Sequence, residues 1–143
     1  MKISAMMSPD PIFVDKQTSV LDALVLLDRN TFRHIPVTHE GALVGIVSEV
    51  DLSAYKHPRL GGGNRDEITE LLNDPVIHIM ESSVLYVRPN DELEHVVRLM
   101  VENRVGALPV VDTKRNTLVG IISYIDVLSW ALNKGCLQEN QAD

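Results

Sequence analysis

The sequence predicts an α+β fold in which two βαββα repeats pack about a pseudo-two-fold axis. The first observation is that the chain of 143 residues repeats itself. The matched positions are Met7 and Met80, Val14 and Val87, Leu26 and Leu99, Pro36-Val37 and Pro109-Val110, Ser48 and Ser123, and Asp51 and Asp126. The second is that the order of local patterns is the same in both copies. The third is size, since one copy of about fifty residues buries too little surface to be stable alone.

Each copy begins with a short β-forming run, residues 12–14 or 84–87. Candidate helix caps follow at Thr18-Ser19 and at Asn90-Asp91, whose side-chain oxygens can accept from free helix N–H groups. Apolar residues then recur at helical spacing and predict the core-facing side of a helix. They are Val20, Ala23, Leu24 and Leu27 in the first copy, and Leu93, Val96, Val97 and Met100 in the second.

Two strands and a second helix complete each copy. The strand at 35–38 or 108–111 contains a proline, which cannot donate to a sheet, so we expect an edge strand or a strand start. The most apolar strand, 43–47 or 118–122, follows a turn and leads into a helix that opens near Ser48 or Ser123. We therefore expect a first repeat at 1–56, a linker with a short helix at 57–74, a second repeat at 75–135 and a flexible tail at 136–143.

Composition excludes several classes of protein. Thirteen basic residues against twenty acidic ones give a net charge of −7, which is unfavourable for a nucleic-acid binder. The single cysteine excludes an internal disulfide, and the five histidines show no metal-ligand spacing. No apolar run reaches the length of a membrane span. We expect a soluble cytoplasmic protein with no metal and no required cofactor, and with neither nucleic acid nor membrane as a partner.

The candidate binding residues lie where the most apolar strand meets its helix. Gly45-Ile46-Val47-Ser48-Glu49-Val50-Asp51 is matched by Gly120-Ile121-Ile122-Ser123-Tyr124-Ile125-Asp126. A serine at a helix N-terminus can help bind phosphate, and a carboxylate one turn on can accept hydrogen bonds from ribose hydroxyls. The same Ser-x-x-Asp spacing is a capping box that stabilises a helix without any ligand. Taken alone, one copy of the motif favours the cap.

The doubled motif in its βαββα context resembles the cystathionine β-synthase (CBS) domain family, over about residues 1–133. Two such domains in tandem form a Bateman module, which binds AMP, ADP, ATP or S-adenosylmethionine in clefts between the copies. The resemblance implies that Asp51 and Asp126 hold ribose and that Ser48 and Ser123 hold phosphate. The residues expected beside adenine are Ile12, Leu85, Val105, Gly106 and Ala107.

The two copies differ just before the proline strand. Arg33 and His34 stand where the second copy has Gly106 and Ala107. Small residues leave room for a base, whereas Arg33 and His34 could bind phosphate. The alternatives are a solvated charge for Arg33 and a hydrogen-bonded, half-buried side chain for His34. Glu49, next to the motif serine, is unfavourable beside a triphosphate. We expect two unequal sites.

The function predicted from these residues is a regulatory module that senses adenosine-containing nucleotides and signals to an unidentified regulated protein. The alternative is a structural or protein-interaction module whose motifs are only helix caps. An enzyme is not expected, because no nucleophile, base and orienting group can be assembled from the sequence. The resemblance also implies a homodimer.

Overall fold

The computed structural model describes residues 1–30, 32–56 and 65–135 of the chain. The triple glycine of the predicted linker, Cys136 and the tail predicted to be flexible lie outside the described residues. The strands are β1 (Ser8–Pro9), β2 (Val14–Asp15), β3 (His34–His39), β4 (Ala42–Ser48), β5 (Ala107–Asp112) and β6 (Thr117–Ser123). The helices are α1 (Val20–Arg29), α2 (Glu49–Lys56), α3 (Arg65–Asn73), α4 (Leu93–Asn103) and α5 (Tyr124–Asn133).

The chain divides into two compact units. One is the continuous segment Ile12–Val84, called here the Asp51 unit. The other, the Asp126 unit, combines Met1–Pro11 with the chain from Leu85 onward. Each contains one copy of the Ser-x-x-Asp motif. The predicted α+β fold of two related repeats is confirmed, whereas their packing about a pseudo-two-fold axis stays a prediction.

The Asp51 unit contains a three-stranded sheet in the order β2-β3-β4. Strand β2 runs parallel to β3, with Val14 opposite Val37, and β4 runs antiparallel to β3. Helix α1 presents the predicted apolar stripe to the core, since Val20, Ala23, Leu24 and Leu27 are all buried. The helix of the linker, α3, lies where the sequence predicts a short helical segment. Buried side chains of the sheet and of α2 complete this core, including Val37, Val47 and Leu52.

The Asp126 unit repeats this arrangement. Its sheet has the order β1-β6-β5, and Val87 forms a parallel bridge to Val110 on the outer side of β5. Helix α4 buries Val96 and Met100 of its predicted stripe, and Leu93 packs against the same core. The repeated sequence pattern thus produces repeated local structure.

The segment that leads into each repeat packs in the unit of the other repeat. The 3₁₀ turn Ile3–Ala5 belongs to the Asp126 unit, and the 3₁₀ turn Val76–His78 belongs to the Asp51 unit. Ile3 and Val76, at matched positions, are fully buried there. The compact units therefore do not follow the order of the repeats along the chain.

The proline expectation is wrong for Pro36, which lies in the central strand β3. The pairing of β2 begins only at Val37, one residue later, so the sheet loses no hydrogen bond at the proline. Pro109 lies in β5, an edge strand of its three-stranded sheet, as expected. Its carbonyl oxygen accepts from Val87 N at 3.0 Å, so Pro109 still takes part in the pairing with Val87 although it has no N–H to donate.

The predicted cap of α1 is confirmed, since Asp22 N donates to Ser19 Oγ at 3.1 Å. The prediction of a cap at Asn90-Asp91 is wrong. Helix α4 begins one residue later than such a cap requires, and its N-cap, Glu92, makes no side-chain capping bond. Asp91 instead closes a turn, because its Oδ2 accepts from Arg88 N at 2.9 Å.

Helices long and apolar enough to cross a membrane are absent from the described part of the chain.

Candidate functional site

Both Ser-x-x-Asp motifs lie where a strand ends and a helix begins. Ser48 ends β4 and is followed at once by α2, and Ser123 ends β6 and is followed by α5. Across the sheet, Ser48 lies opposite His34 and Ser123 lies opposite Ala107. The structure thus brings each motif serine next to the first residue of the strand that contains the proline.

Strand direction brings the short β-forming run of each repeat to the same end of the sheet as the motif serine. Val14 lies opposite Val37 in parallel pairing, so Ile12, two residues earlier, lies toward the edge where β3 begins. Leu85 holds the same position before Val87, which bridges to Val110. Ile12 is 45% exposed and Leu85 is 39% exposed. An exposed apolar side chain therefore accompanies each Ser-x-x-Asp motif within its own unit.

Each motif forms a capping box. In the Asp51 unit, Ser48 N donates to Asp51 Oδ2 at 2.9 Å, and Asp51 N donates to Ser48 Oγ at 3.1 Å. In the Asp126 unit, Ser123 N donates to Asp126 Oδ2 at 2.8 Å, and Asp126 N donates to Ser123 Oγ at 3.3 Å. The serines and aspartates therefore stabilise the helix starts. In both boxes it is Oδ2 that accepts, which leaves Oδ1 to accept from a ligand.

Backbone hydrogen bonds also hold the first residue of each helix. Glu49 N donates to Arg33 O at 2.8 Å, and Tyr124 N donates to Gly106 O at 2.9 Å. With the capping bonds, three of the N–H groups at each helix start are already satisfied within the chain. A phosphate there would gain few backbone donors, so side chains must supply most of its contacts.

Arg33 and His34 lie beside the first motif but differ in charge. Arg33 Nε lies 3.8 Å from Glu49 Oε2, and the two side chains are 76% and 51% exposed. Burial lowers the pKa of His34 below its ordinary value; the charge of Asp51 opposes this shift, and that of Arg33 adds to it. At neutral pH the neutral imidazole of His34 can donate or accept a hydrogen bond, whereas Arg33 carries a positive charge.

In the second copy, the side chain of Tyr124 lies beside the space that the sequence predicts for a base. A Cβ atom placed on Gly106 would lie 3.3 Å from Tyr124 Cδ1, so the ring lies directly beside the glycine. Tyr124 is 51% exposed and could face a base or occupy its place. Sequence reasoning did not assign it a role. The available signal was an aromatic residue next to the motif serine.

The motif glycines serve chain packing. A Cβ atom on Gly120 would lie 2.8 Å from Met7 Sδ and 2.9 Å from Ser8 O. A Cβ atom on Gly45 would clash with Met80 Sδ and lie 3.1 Å from Glu81 O. The motif glycines thus leave room for the segments that lead into the two repeats, called here the leading segments: Met7-Ser8 packs against Gly120, and Met80-Glu81 packs against Gly45. This explains why Met7 and Met80 recur with the motif.

No cluster of three or more histidine, cysteine, aspartate or glutamate side chains suited to a metal ion occurs within residues 1–30, 32–56 and 65–135. The assignment of the named residues to ribose, phosphate and adenine stays a prediction.

Two α+β units with matched motifs define a tandem-repeat module. The sequence model of the CBS domain matches residues 3–57 and 76–133, and the chain belongs to the CBS domain family. The resemblance drawn from the doubled motif is confirmed.

Several known proteins are similar to this chain in sequence or in structure. The chain is 36% identical to uncharacterized protein MJ1225 of Methanocaldococcus jannaschii, over 71% of this chain and 37% of that protein. It is 36% identical to an uncharacterized 33.4 kDa protein of Thermofilum pendens, over 87% of this chain and 43% of that protein. It thus spans less than half the length of either relative. The crystal structure of CBSX2 in complex with AMP superposes with a TM-score of 0.78 and 33% identity, over 94% of this chain and 98% of that one.

Proposed function

We propose that this chain is a regulatory module that binds adenosine-containing nucleotides at its Ser-x-x-Asp motifs and changes its behaviour toward a partner protein on binding. The candidate ligands are AMP, ADP, ATP and S-adenosylmethionine. No catalytic step is proposed. The effect on a partner requires that the ligand binds one conformation of the module better than another.

One observation carries the proposal: each unit places a serine, an aspartate and an exposed apolar residue at the same sheet edge. These are Ser48, Asp51 and Ile12 in one unit and Ser123, Asp126 and Leu85 in the other. A nucleotide needs an apolar contact for its base, a hydroxyl-binding carboxylate for its ribose and a donor for its phosphate. The AMP in the CBSX2 crystal structure supports the choice of ligand class.

The capping boxes are compatible with this role. A ribose presents two vicinal hydroxyls, and a carboxylate carries about four acceptor positions on two oxygens. Asp51 and Asp126 each engage Oδ2 with the serine N–H. Oδ1 can therefore accept from ribose while the cap stays formed.

The alternative function, a structural or protein-interaction module, is favoured by the same hydrogen bonds. Hydrogen bonds within the chain close both boxes, so helix stabilisation alone accounts for their geometry. The homodimer implied by the family resemblance belongs to either function and is measurable by analytical ultracentrifugation.

The experiment that separates the two functions is thermal melting of the full chain with AMP, ADP, ATP and S-adenosylmethionine in turn. At a free ligand concentration one hundred times the dissociation constant, binding should stabilise the fold by about 2.7 kcal/mol. Unchanged melting with all four compounds leaves the structural module as the function.

A further inference from the structure

We propose that the Arg33–Glu49 pair makes the Asp51 site select an adenosine ligand whose 5′ substituent carries both a positive and a negative charge, as an α-amino acid group does. This inference rests on the proposed function, in which Asp51 holds the ribose. It assigns a ligand class to one of the two sites and names the residues that select it.

The geometry places both charges at the start of α2. Glu49 N donates to Arg33 O at 2.8 Å, so the two residues are fixed side by side through their backbones. Their side chains lie within 3.8 Å of each other. Glu49 directly follows Ser48, the residue predicted to contact the 5′ substituent. A group extending from the ribose toward Ser48 therefore meets a guanidinium and a carboxylate together.

The Asp126 unit provides an internal comparison. Tyr124 N donates to Gly106 O at 2.9 Å, so the backbone contact is the same as between Glu49 and Arg33. The side chains there are an aromatic ring and a hydrogen, with no charge on either. The two sites thus share a backbone frame and differ in the chemistry presented to the 5′ substituent.

Charge balance decides which ligand suits the Asp51 site. A phosphate is attracted by Arg33 but repelled by Glu49, and it must displace Glu49 from Arg33. An α-amino acid group satisfies both side chains, because its carboxylate can pair with Arg33 while its ammonium pairs with Glu49. The ion pair is largely exposed, so it can open to admit the ligand at little cost.

The test is titration calorimetry of the full chain carrying Asp126→Asn, so that the Asp51 site reports alone. The probes are S-adenosylhomocysteine, which carries the amino acid group, and AMP, which carries a phosphate. Glu49→Gln should weaken S-adenosylhomocysteine binding about three- to tenfold and strengthen AMP binding by a similar factor. Arg33→Gln should weaken binding of both ligands.

The matched control is Glu94→Gln, which removes the same charge from an exposed glutamate paired with Arg98 on α4. It should leave both affinities unchanged. Equal changes in the two affinities on Glu49→Gln, or no change in either, overturn the inference while the proposed function stands. Binding by the natural chain but not by the Asp126→Asn chain also overturns it. Absence of binding to every form overturns the proposed function as well.

Discussion

The serine of each motif has two possible partners, the helix and a ligand. Ser48 Oγ and Ser123 Oγ each accept from the backbone N–H of the aspartate three residues on. Ser48 Oγ can still donate its own proton, which a phosphate oxygen could take. Ser123 Oγ already donates to Asp126 Oδ2 at 3.2 Å, so its proton would have to turn from that carboxylate to reach a phosphate. At Ser48, cap and ligand contact therefore use different parts of one hydroxyl group.

The caps themselves should contribute measurably to stability. Ser48→Ala and Ser123→Ala should each lower the free energy of unfolding by about 1 kcal/mol, because each leaves a helix N–H without its acceptor. Ser53→Ala, at an exposed serine within α2, is the control and should cost less than about 0.5 kcal/mol. Urea unfolding measures all three. A cost of Ser123→Ala no greater than that of Ser53→Ala contradicts the capping role.

His34 should make stability depend on pH. Burial lowers its pKa in the folded chain, despite the nearby charge of Asp51. The folded state therefore resists protonation, and stability should fall as pH drops below the ordinary histidine pKa of about 6.5. Urea unfolding at pH 7.5 and 5.5 should show a larger loss for the natural chain than for His34→Gln. Equal losses would contradict the lowered pKa.

At this scale the sequence predicted the motif residues and their neighbours, but not the pairs they form. Arg33 and Glu49 are sixteen positions apart in the chain, and only the antiparallel register of β3 and β4 places them together. The contact of Tyr124 with Gly106 depends on β5 and β6 in the same way. The register of each hairpin depends on its turn and on a bulge, at Val37/Thr38 or Val110/Val111, which apolar periodicity alone does not give.

Among the elements, helices were predicted more completely than the first strands. The apolar stripe of α1 is local, and all four of its residues are buried. The β-forming run at 12–14 pairs only from Val14, and the strand extends to Asp15 instead. The cap predicted at Asn90-Asp91 failed because Asp91 bonds within the preceding turn. Short strands and caps depend on competing contacts that a sequence pattern does not rank.

A side chain at either motif glycine, Gly45 or Gly120, should destabilise the fold, because the leading segment packs directly against it. Gly120→Ala should destabilise the chain by about 1–3 kcal/mol, because its Cβ would press against the backbone oxygen of Ser8 as well as Met7. Gly106→Ala is the matched control: its Cβ would meet only an exposed tyrosine ring, which can move. Its cost should be smaller. Equal costs in thermal unfolding would contradict the packing role of Gly120.

For the whole molecule, the sequence predicted two repeats but not which segment completes which unit. The Asp51 unit is continuous in sequence, Ile12–Val84, while the Asp126 unit needs Met1–Pro11 from the other end of the chain. The matched methionines marked the leading segments as repeated. The methionines did not indicate that each leading segment packs in the unit of the other repeat. The local pattern is the same whether a leading segment packs against its own repeat or against the other one.

This exchange predicts which fragment can fold. A fragment of residues 12–84 contains a complete unit, including Val76 and the bridge from Glu81 to Ile46. It should unfold in a cooperative transition followed by circular dichroism. A fragment of residues 1–56, the first repeat as read from the sequence, lacks those contacts and should show none. Cooperative unfolding of 1–56 together with disorder in 12–84 would contradict the exchange.

The most direct test of the central claim, that the motif aspartates bind a ribose, is the affinity for AMP of the Asp51→Asn/Asp126→Asn chain measured by titration calorimetry. Asparagine keeps an acceptor for the serine N–H but loses the charge and one acceptor oxygen. The account predicts an affinity at least about tenfold weaker, with a free energy of unfolding lowered by no more than about 1–2 kcal/mol, because each helix start loses a charge but keeps its capping acceptor. The control, Asp22→Asn/Asp66→Asn, makes the same change at exposed aspartates in the first turns of α1 and α3 and should bind as the natural chain does. An undiminished affinity in the motif variant would contradict the claim.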